Sequence, residues 1–211
     1  MDKKHLVVSF IVILASFAAA FYFYPLMPER IASHWGLKGT VDGYMTKFWG
    51  LFLLPVVSLV VLFLFILIPK LDPLKENIAK FKNFYGNFIV LTIIFLSYIN
   101  FLVIFWNLGI YFNIIQALSP GMAVLFFYTG ILLEKVKRNW FIGIRTPWTL
   151  SSEEVWDKTN KLGAKFFKVA GAAALFGVIF PDYFLYIIFV PLLFMVFFTV
   201  IYSYFEYKKH E

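Results

Sequence analysis

Residues 48–68 read FWGLFLLPVVSLVVLFLFILI, a run without a single charged residue. A helix of about 20 apolar residues crosses the hydrocarbon of a bilayer, so this stretch already names the solvent. Pro55 lies near its start, where the missing backbone donor bends the helix without breaking the span. The remaining sequence agrees. Of 211 residues, 62% are hydrophobic, 15% are charged and 28 are Phe. An average soluble domain is about 45–50% apolar and about 25% charged. A water-soluble domain of this size could not bury so much apolar surface, and that class is excluded.

Upstream, Leu6 to Leu26 is charge-free, follows Lys3 and Lys4, and reads as a first span. Ala18-Ala19-Ala20 also fits a signal-peptide cleavage site. Against that rival, the apolar run continues through Phe21-Tyr22-Phe23-Tyr24, as an aromatic belt does. Downstream, residues 70–87 form a basic linker whose stretch 72–84 suits a short interfacial helix. The apolar run from Phe88 to Gln116 exceeds one span. Its span ends near Asn107, and residues 109–116 read as an interfacial or partly re-entrant piece. Ser119-Pro120-Gly121 opens a fourth span to Leu133. A fifth covers 164–180 and a sixth 183–205. The expectation is an all-α, polytopic membrane protein of six transmembrane helices. It divides into a two-span unit, 1–69, and a four-span unit, 70–211. Ala170, Gly171, Ala173, Ala174 and Gly177 give the fifth span a close-packing face.

Six spans put both termini on one side, with every Lys and Arg of the 19 except Arg30, Lys38 and Lys47. The positive-inside rule makes that side the cytoplasm, so loop 27–47 faces out and loop 134–163 faces in. The net charge of +7 then belongs to the inner face and offers no support for direct nucleic-acid binding. The chain has no Cys, which excludes thiol catalysis and thiolate metal sites. The spans carry no ionisable residue at depth, which argues against an ion-coupled transporter. Asn100, Asn107, Asn113 and Gln116 cluster around the third span, where interhelical hydrogen bonding outweighs a substrate path. No metalloprotease, nucleophile-elbow, P-loop or dinucleotide-binding fingerprint is present, and no cofactor is implied.

Two polar loops carry more information. The outer one, MPERIASHWGLKGTVDGYMTK, combines His34, Trp35, Gly39, Asp42 and Tyr44. Its glycines permit tight turns, and its aromatics suit interfacial depth. His34 and Asp42 can pair and hold the loop folded. The surface suits an extracellular ligand, with a metal site from His34, Asp42 and Glu29 as a minor alternative. The inner loop holds Lys135, Lys137 and Arg138 near anionic headgroups. Asn139 and Trp140 follow, then the rigid corner Arg145-Thr146-Pro147-Trp148. Ser151 and Glu154 have capping-box spacing, for a short helix starting near Ser152 and ending at Gly163. Trp140, Trp148 and Trp156 form a tryptophan belt or, with Arg145, a platform for a soluble partner.

The stretch RNWFIGIRTPWTLSSEEVWDKTNKLG resembles the signature of the SdpI-type membrane immunity proteins. The outer stretch followed by Pro55 resembles the N-terminal domain of unknown function that many of them carry. Ala32 stands where that family usually has Pro, and Asn160 where it usually has His. The resemblance implies a prokaryotic plasma-membrane protein, non-enzymatic, protecting its cell against a secreted, membrane-active peptide toxin. It also implies relay of the toxin's presence by holding a cytoplasmic repressor at the membrane. On this reading His34, Trp35, Gly39, Asp42 and Tyr44 meet the ligand outside. Asn139, Arg145, Thr146, Pro147, Trp148, Glu154 and Trp156 meet the partner inside. A membrane enzyme acting on a lipid or isoprenoid headgroup is the alternative. In it, Lys137, Arg138 and Arg145 hold phosphate and Glu153 or Glu154 is the base. A transporter is a further one.

Overall fold

The computed structural model describes residues 2–36 and 39–209. Lys38 of the outer loop and His210 and Glu211 of the tail lie outside the described residues. The elements are α1 (Lys3–Phe23), β1 (Arg30–Trp35), β2 (Val41–Thr46), α2 (Lys47–Leu71), α3 (Lys75–Ala79), α4 (Lys82–Asn107), α5 (Ile114–Lys135), α6 (Pro147–Ser151), α7 (Glu153–Ala174) and α8 (Phe184–Lys208). Short 3-10 turns follow α1 and α7 and precede α8.

Among the described residues, five helical stretches are long and apolar enough to cross a membrane: Lys3–Leu26, Lys47–Leu71, Lys82–Asn107, Ile114–Lys135 and Pro181–Lys208. The protein is a helical, multi-span membrane protein. The expected fifth span, 164–180, is not among these stretches. Lys158, Lys161, Lys165 and Lys168 all lie on α7, and the charge-free part beyond Lys168 is short for a lone crossing. Packing accounts for α7 instead: it lies against α5 and α8. Lys168 is neutralised there by Glu134 of α5, Nζ to Oε1 2.6 Å.

Helix boundaries differ from the sequence reading where caps decide them. The Asn113 side chain accepts from the N–H groups of Ile115 and Gln116, so α5 starts at Ile114 and not at Ser119. Residues 114–116 are thus the first turn of α5, and Gly109 (φ 91°) turns the chain just before it. The linker helix α3 is shorter than expected, and α4 starts at Lys82. Gly163 does not end α7. It lies inside the helix and leaves room for the Ile144 side chain.

The largest departure from an all-α chain is the outer loop, which forms an antiparallel hairpin. Ile31, Val41, Tyr44 and Thr46 favour extended backbone, and Gly39 (φ 71°) supplies the turn. The register slips around Ser33, so that His34 faces Gly43. A Cβ on Gly43 would lie 2.8 Å from that of His34, so the slip needs glycine there. Ile31, fully buried, seats the hairpin on α2 over Gly50.

Helix α4 packs on α1, α2 and α5. Its amide Asn100 donates to Ser16 of α1 at 3.1 Å in a buried setting. The expected small-residue face is present on the α5–α7 contact. A Cβ on Gly171 would come 2.6 Å from the Phe127 nitrogen, and one on Gly130 would come 2.6 Å from the Ala164 carbonyl oxygen. The two backbones therefore touch directly. Replacing Gly171 by Leu should lower the detergent thermal midpoint by the equivalent of about 1–3 kcal/mol, the usual cost of overpacking. Ala172→Leu, at an exposed position beside it, should leave the midpoint unchanged.

Candidate functional site

Two irregular segments break the bundle, and each is held by side-chain amides. On the outer hairpin, Asn107 at the end of α4 grips the backbone of Ala32 from both sides. Its Oδ1 accepts from the Ala32 N–H at 2.8 Å, and its Nδ2 donates to the Ala32 carbonyl at 3.0 Å. The same Nδ2 donates to the Val103 carbonyl at 2.9 Å, fixing the rotamer. Ala32 is buried, and a proline there would have no N–H to give Asn107. Trp35 packs edge-on against Trp106, with ring centroids 5.7 Å apart.

The hairpin brings the expected outer residues together. His34 Nδ1 and Asp42 Oδ1 are 2.5 Å apart, with side chains 72% and 51% exposed. A pair so exposed adds little to stability, so its atoms stay available to a ligand. Tyr44 is exposed opposite buried Ala32, and Trp35 is half-buried. Gly39 stands next to Asn113, at the start of α5. Glu29 pairs with Lys47 at 2.8 Å. Among the described residues, no three metal-ligating side chains come together.

At the other end of the helices, Asn139 organises loop 134–163. Its Oδ1 accepts from the N–H groups of Phe141 (2.9 Å) and Ile142 (2.6 Å). Its Nδ2 donates to the carbonyls of Lys137 and Ile142, both at 2.8 Å. Asn160 does the same one turn deeper, accepting from the Ile144 N–H at 2.8 Å and donating to the Trp156 carbonyl at 3.1 Å. Gly143, at φ 118°, passes so close that a Cβ would lie 2.8 Å from Asn160 Oδ1. Buried Asp72 ties this loop to the turn after α2, accepting from Leu74 N–H (2.7 Å) and Trp140 N–H (2.8 Å). Asn77 donates to the Arg138 carbonyl at 2.9 Å.

Of the expected partner-side residues, Asn139, Thr146 and Trp156 are buried and shape the loop from within. The Trp156 indole donates to the Val136 carbonyl at 3.1 Å. Thr146 caps α6 in a capping box with Thr149, and its hydroxyl lies 3.0 Å from that of Ser203 on α8. The box expected at Ser151 is therefore absent; Ser152 alone caps α7. Arg145 and Pro147 are exposed, with one Arg145 nitrogen donating to the Trp140 carbonyl at 2.7 Å. Trp148 is half-buried and packs edge-on against Tyr204 at 5.1 Å.

The inner charges are engaged with the protein. Lys137 meets Asp157 at 3.3 Å, and Arg138 donates to the Leu150 carbonyl at 3.0 Å and faces Glu153 at 3.6 Å. Lys158 sits between Glu154 (2.7 Å) and Glu206 (2.5 Å). Sequence reasoning missed Asp72 and Asn77 as loop anchors. It placed Asn107 among the interhelical amides; the helix-end amide grips a strand instead.

The fold and the two pinned loops define a polytopic membrane protein with one structured segment at each end of its helices. Residues 135–203 match the SdpI/YfhL protein family, and residues 11–59 match a domain of unknown function, DUF1648. The first match takes in the inner loop with α6, α7 and most of α8; the second takes in the hairpin. The chain is similar to the immunity protein SdpI of Bacillus subtilis (strain 168), at 28% identity over 208 residues. That alignment covers 98% of this chain and 97% of its relative. The resemblance read from the two loops thus extends along both chains. No solved structure matches.

Loss of a pinning amide should loosen one loop and spare the other. Asn107→Ala in the reconstituted protein should speed tryptic cleavage at Arg30 or Lys47 several-fold, without changing cleavage at Arg145. Asn139→Ala should do the reverse, since it strips four backbone groups of their partners, each bond contributing about 0.5–1.5 kcal/mol.

Proposed function

We propose that the chain is a membrane immunity protein. It protects the cell that carries it from a secreted, membrane-active peptide, and it does so by binding and not by catalysis. The observation that carries this reading is the alignment, along nearly the whole of both chains, with a protein named for immunity. The pinned hairpin supports it: the open His34–Asp42 pair and exposed Tyr44 stand beside exposed Phe48 and Trp49 at the start of α2. Such a surface offers hydrogen bonds and apolar contact to an amphipathic peptide lying at the interface. His34, Trp35, Gly39, Asp42 and Tyr44 form the ligand side.

In this reading the chain crosses the membrane six times, with α7 and its following turn as a short crossing shielded by α5 and α8. Both termini and the inner loop are cytoplasmic. Charge asymmetry supports it, because five crossings would divide the basic residues between the two sides. Arg145, Pro147 and Trp148 then face a cytoplasmic partner, and a repressor held there would relay the peptide's arrival. Relay needs two helix arrangements that the peptide weights differently.

Survival decides the main point. Full-length protein in a sensitive bacterium should raise tolerance to at least one of a panel of membrane-active peptides. His34→Ala combined with Asp42→Ala should remove most of that gain at equal membrane abundance. No gain against any peptide, with the chain in the membrane, contradicts the proposal. The natural absence of Cys makes topology directly readable. Thr40→Cys should react with an impermeant maleimide in intact cells, and Lys137→Cys only after permeabilisation.

A further inference from the structure

Beneath the hairpin lies a cavity of about 480 Å³, bounded by β1, α2, α4, α5 and the start of α8. Its size falls among pockets that hold small ligands, about 300–1,000 Å³. Its wall is apolar almost throughout: Val103, Ile115, Phe184 and Ile188 line it and are themselves buried. Trp49, Leu53 and Phe189 also line it, yet they are 54%, 38% and 54% exposed. These three lie on α2 and α8, two of the helices apolar enough to cross the membrane. The cavity is therefore continuous with the lipid-facing surface, and its side opening lies between α2 and α8. Helix α2 packs on α1 and α4, and α8 on α7, which leaves that gap between them.

Water is a poor occupant of such a space, because it needs two to four polar partners. Ser33, His34 and Trp35 are the polar side chains that the hairpin brings to the wall. The indole N–H of Trp35 is buried and has no acceptor among the described residues. A hydrocarbon chain suits the wall, and it is the one apolar ligand present at high concentration along the whole opening.

We propose that this cavity is a lipid site: one acyl chain of a membrane glycerolipid enters between α2 and α8 and lies under the hairpin. The lipid's ester carbonyls come to the level of the hairpin, where the Trp35 N–H lacks an acceptor. His34, at the cavity's edge and exposed, stands where a headgroup would emerge. The site depends on the chain's place in the bilayer and stands whether or not the chain confers immunity.

The test uses full-length protein in vesicles of phosphatidylethanolamine and phosphatidylglycerol. A trace of phosphatidylcholine bears a carbene-generating group near the middle of one acyl chain. After irradiation, cross-links are mapped by mass spectrometry. The expected result is labelling at Ile115 and Ile188, which are buried and line the cavity, alongside exposed residues such as Phe63 and Phe197. Filling the cavity with Leu118→Phe or Leu54→Phe should cut the inner labels at least five-fold and leave the exposed ones unchanged. Labels confined to exposed faces in the wild-type protein overturn the proposal, whatever the filled variants do. Inner labels that survive in folded variants of both kinds overturn it as well.

Discussion

A backbone N–H or C=O at the end of a membrane helix has no intrahelical partner and little water to replace one. The ordered parts of this protein outside its helices all depend on meeting that constraint. Side chains do so, chiefly Asn107 for the hairpin, and Asn139, Asn160 and Asp72 for loop 134–163. An amide is suited to the task because it donates and accepts at once. Asn107 and Asn160 each close on both the N–H and the C=O of a single residue or turn. Asn139 satisfies four contacts unaided.

With backbone demands met from inside, the outward side chains are released from structural duty. The His34–Asp42 pair and Tyr44 can be spent on ligands because the hairpin does not depend on them to stay folded, whereas Arg145 still gives one nitrogen to the Trp140 carbonyl. That division gives a physical meaning to Ala32 and Asn160. Ala32 supplies the N–H that proline would lack. Asn160 supplies an acceptor and a donor that a neutral imidazole could also offer, so no ionisable group is needed there for the loop's shape.

Much of this was legible in the sequence. Charge-free runs located α1, α2 and α8 to within about three residues at each end, because hydrophobic length is a one-dimensional property. The His34–Asp42 pairing and the small-residue face around Gly171 were also readable, since each depends on residue type and local spacing. Three things were not. The hairpin arises from Ile31 docking over Gly50 and from Asn107 reaching across 75 positions, and neither leaves a local trace. The boundaries of α7 are set by packing on α5 and α8, which allows lysines where a lone helix would exclude them. The burial of Trp156 and Asn139 was not readable either, because Trp and Asn look alike in sequence whether they are exposed or hold a loop from within.

The central claim is that side chains, and not water, satisfy the backbone of both loops. Amide hydrogen exchange of the full-length protein in bilayers tests it most directly. The account predicts that the N–H groups of Ala32, Trp140, Phe141, Ile142 and Ile144 exchange as slowly as those in mid-helix. Exchange at the rate of open, solvated loops at these five positions would contradict it.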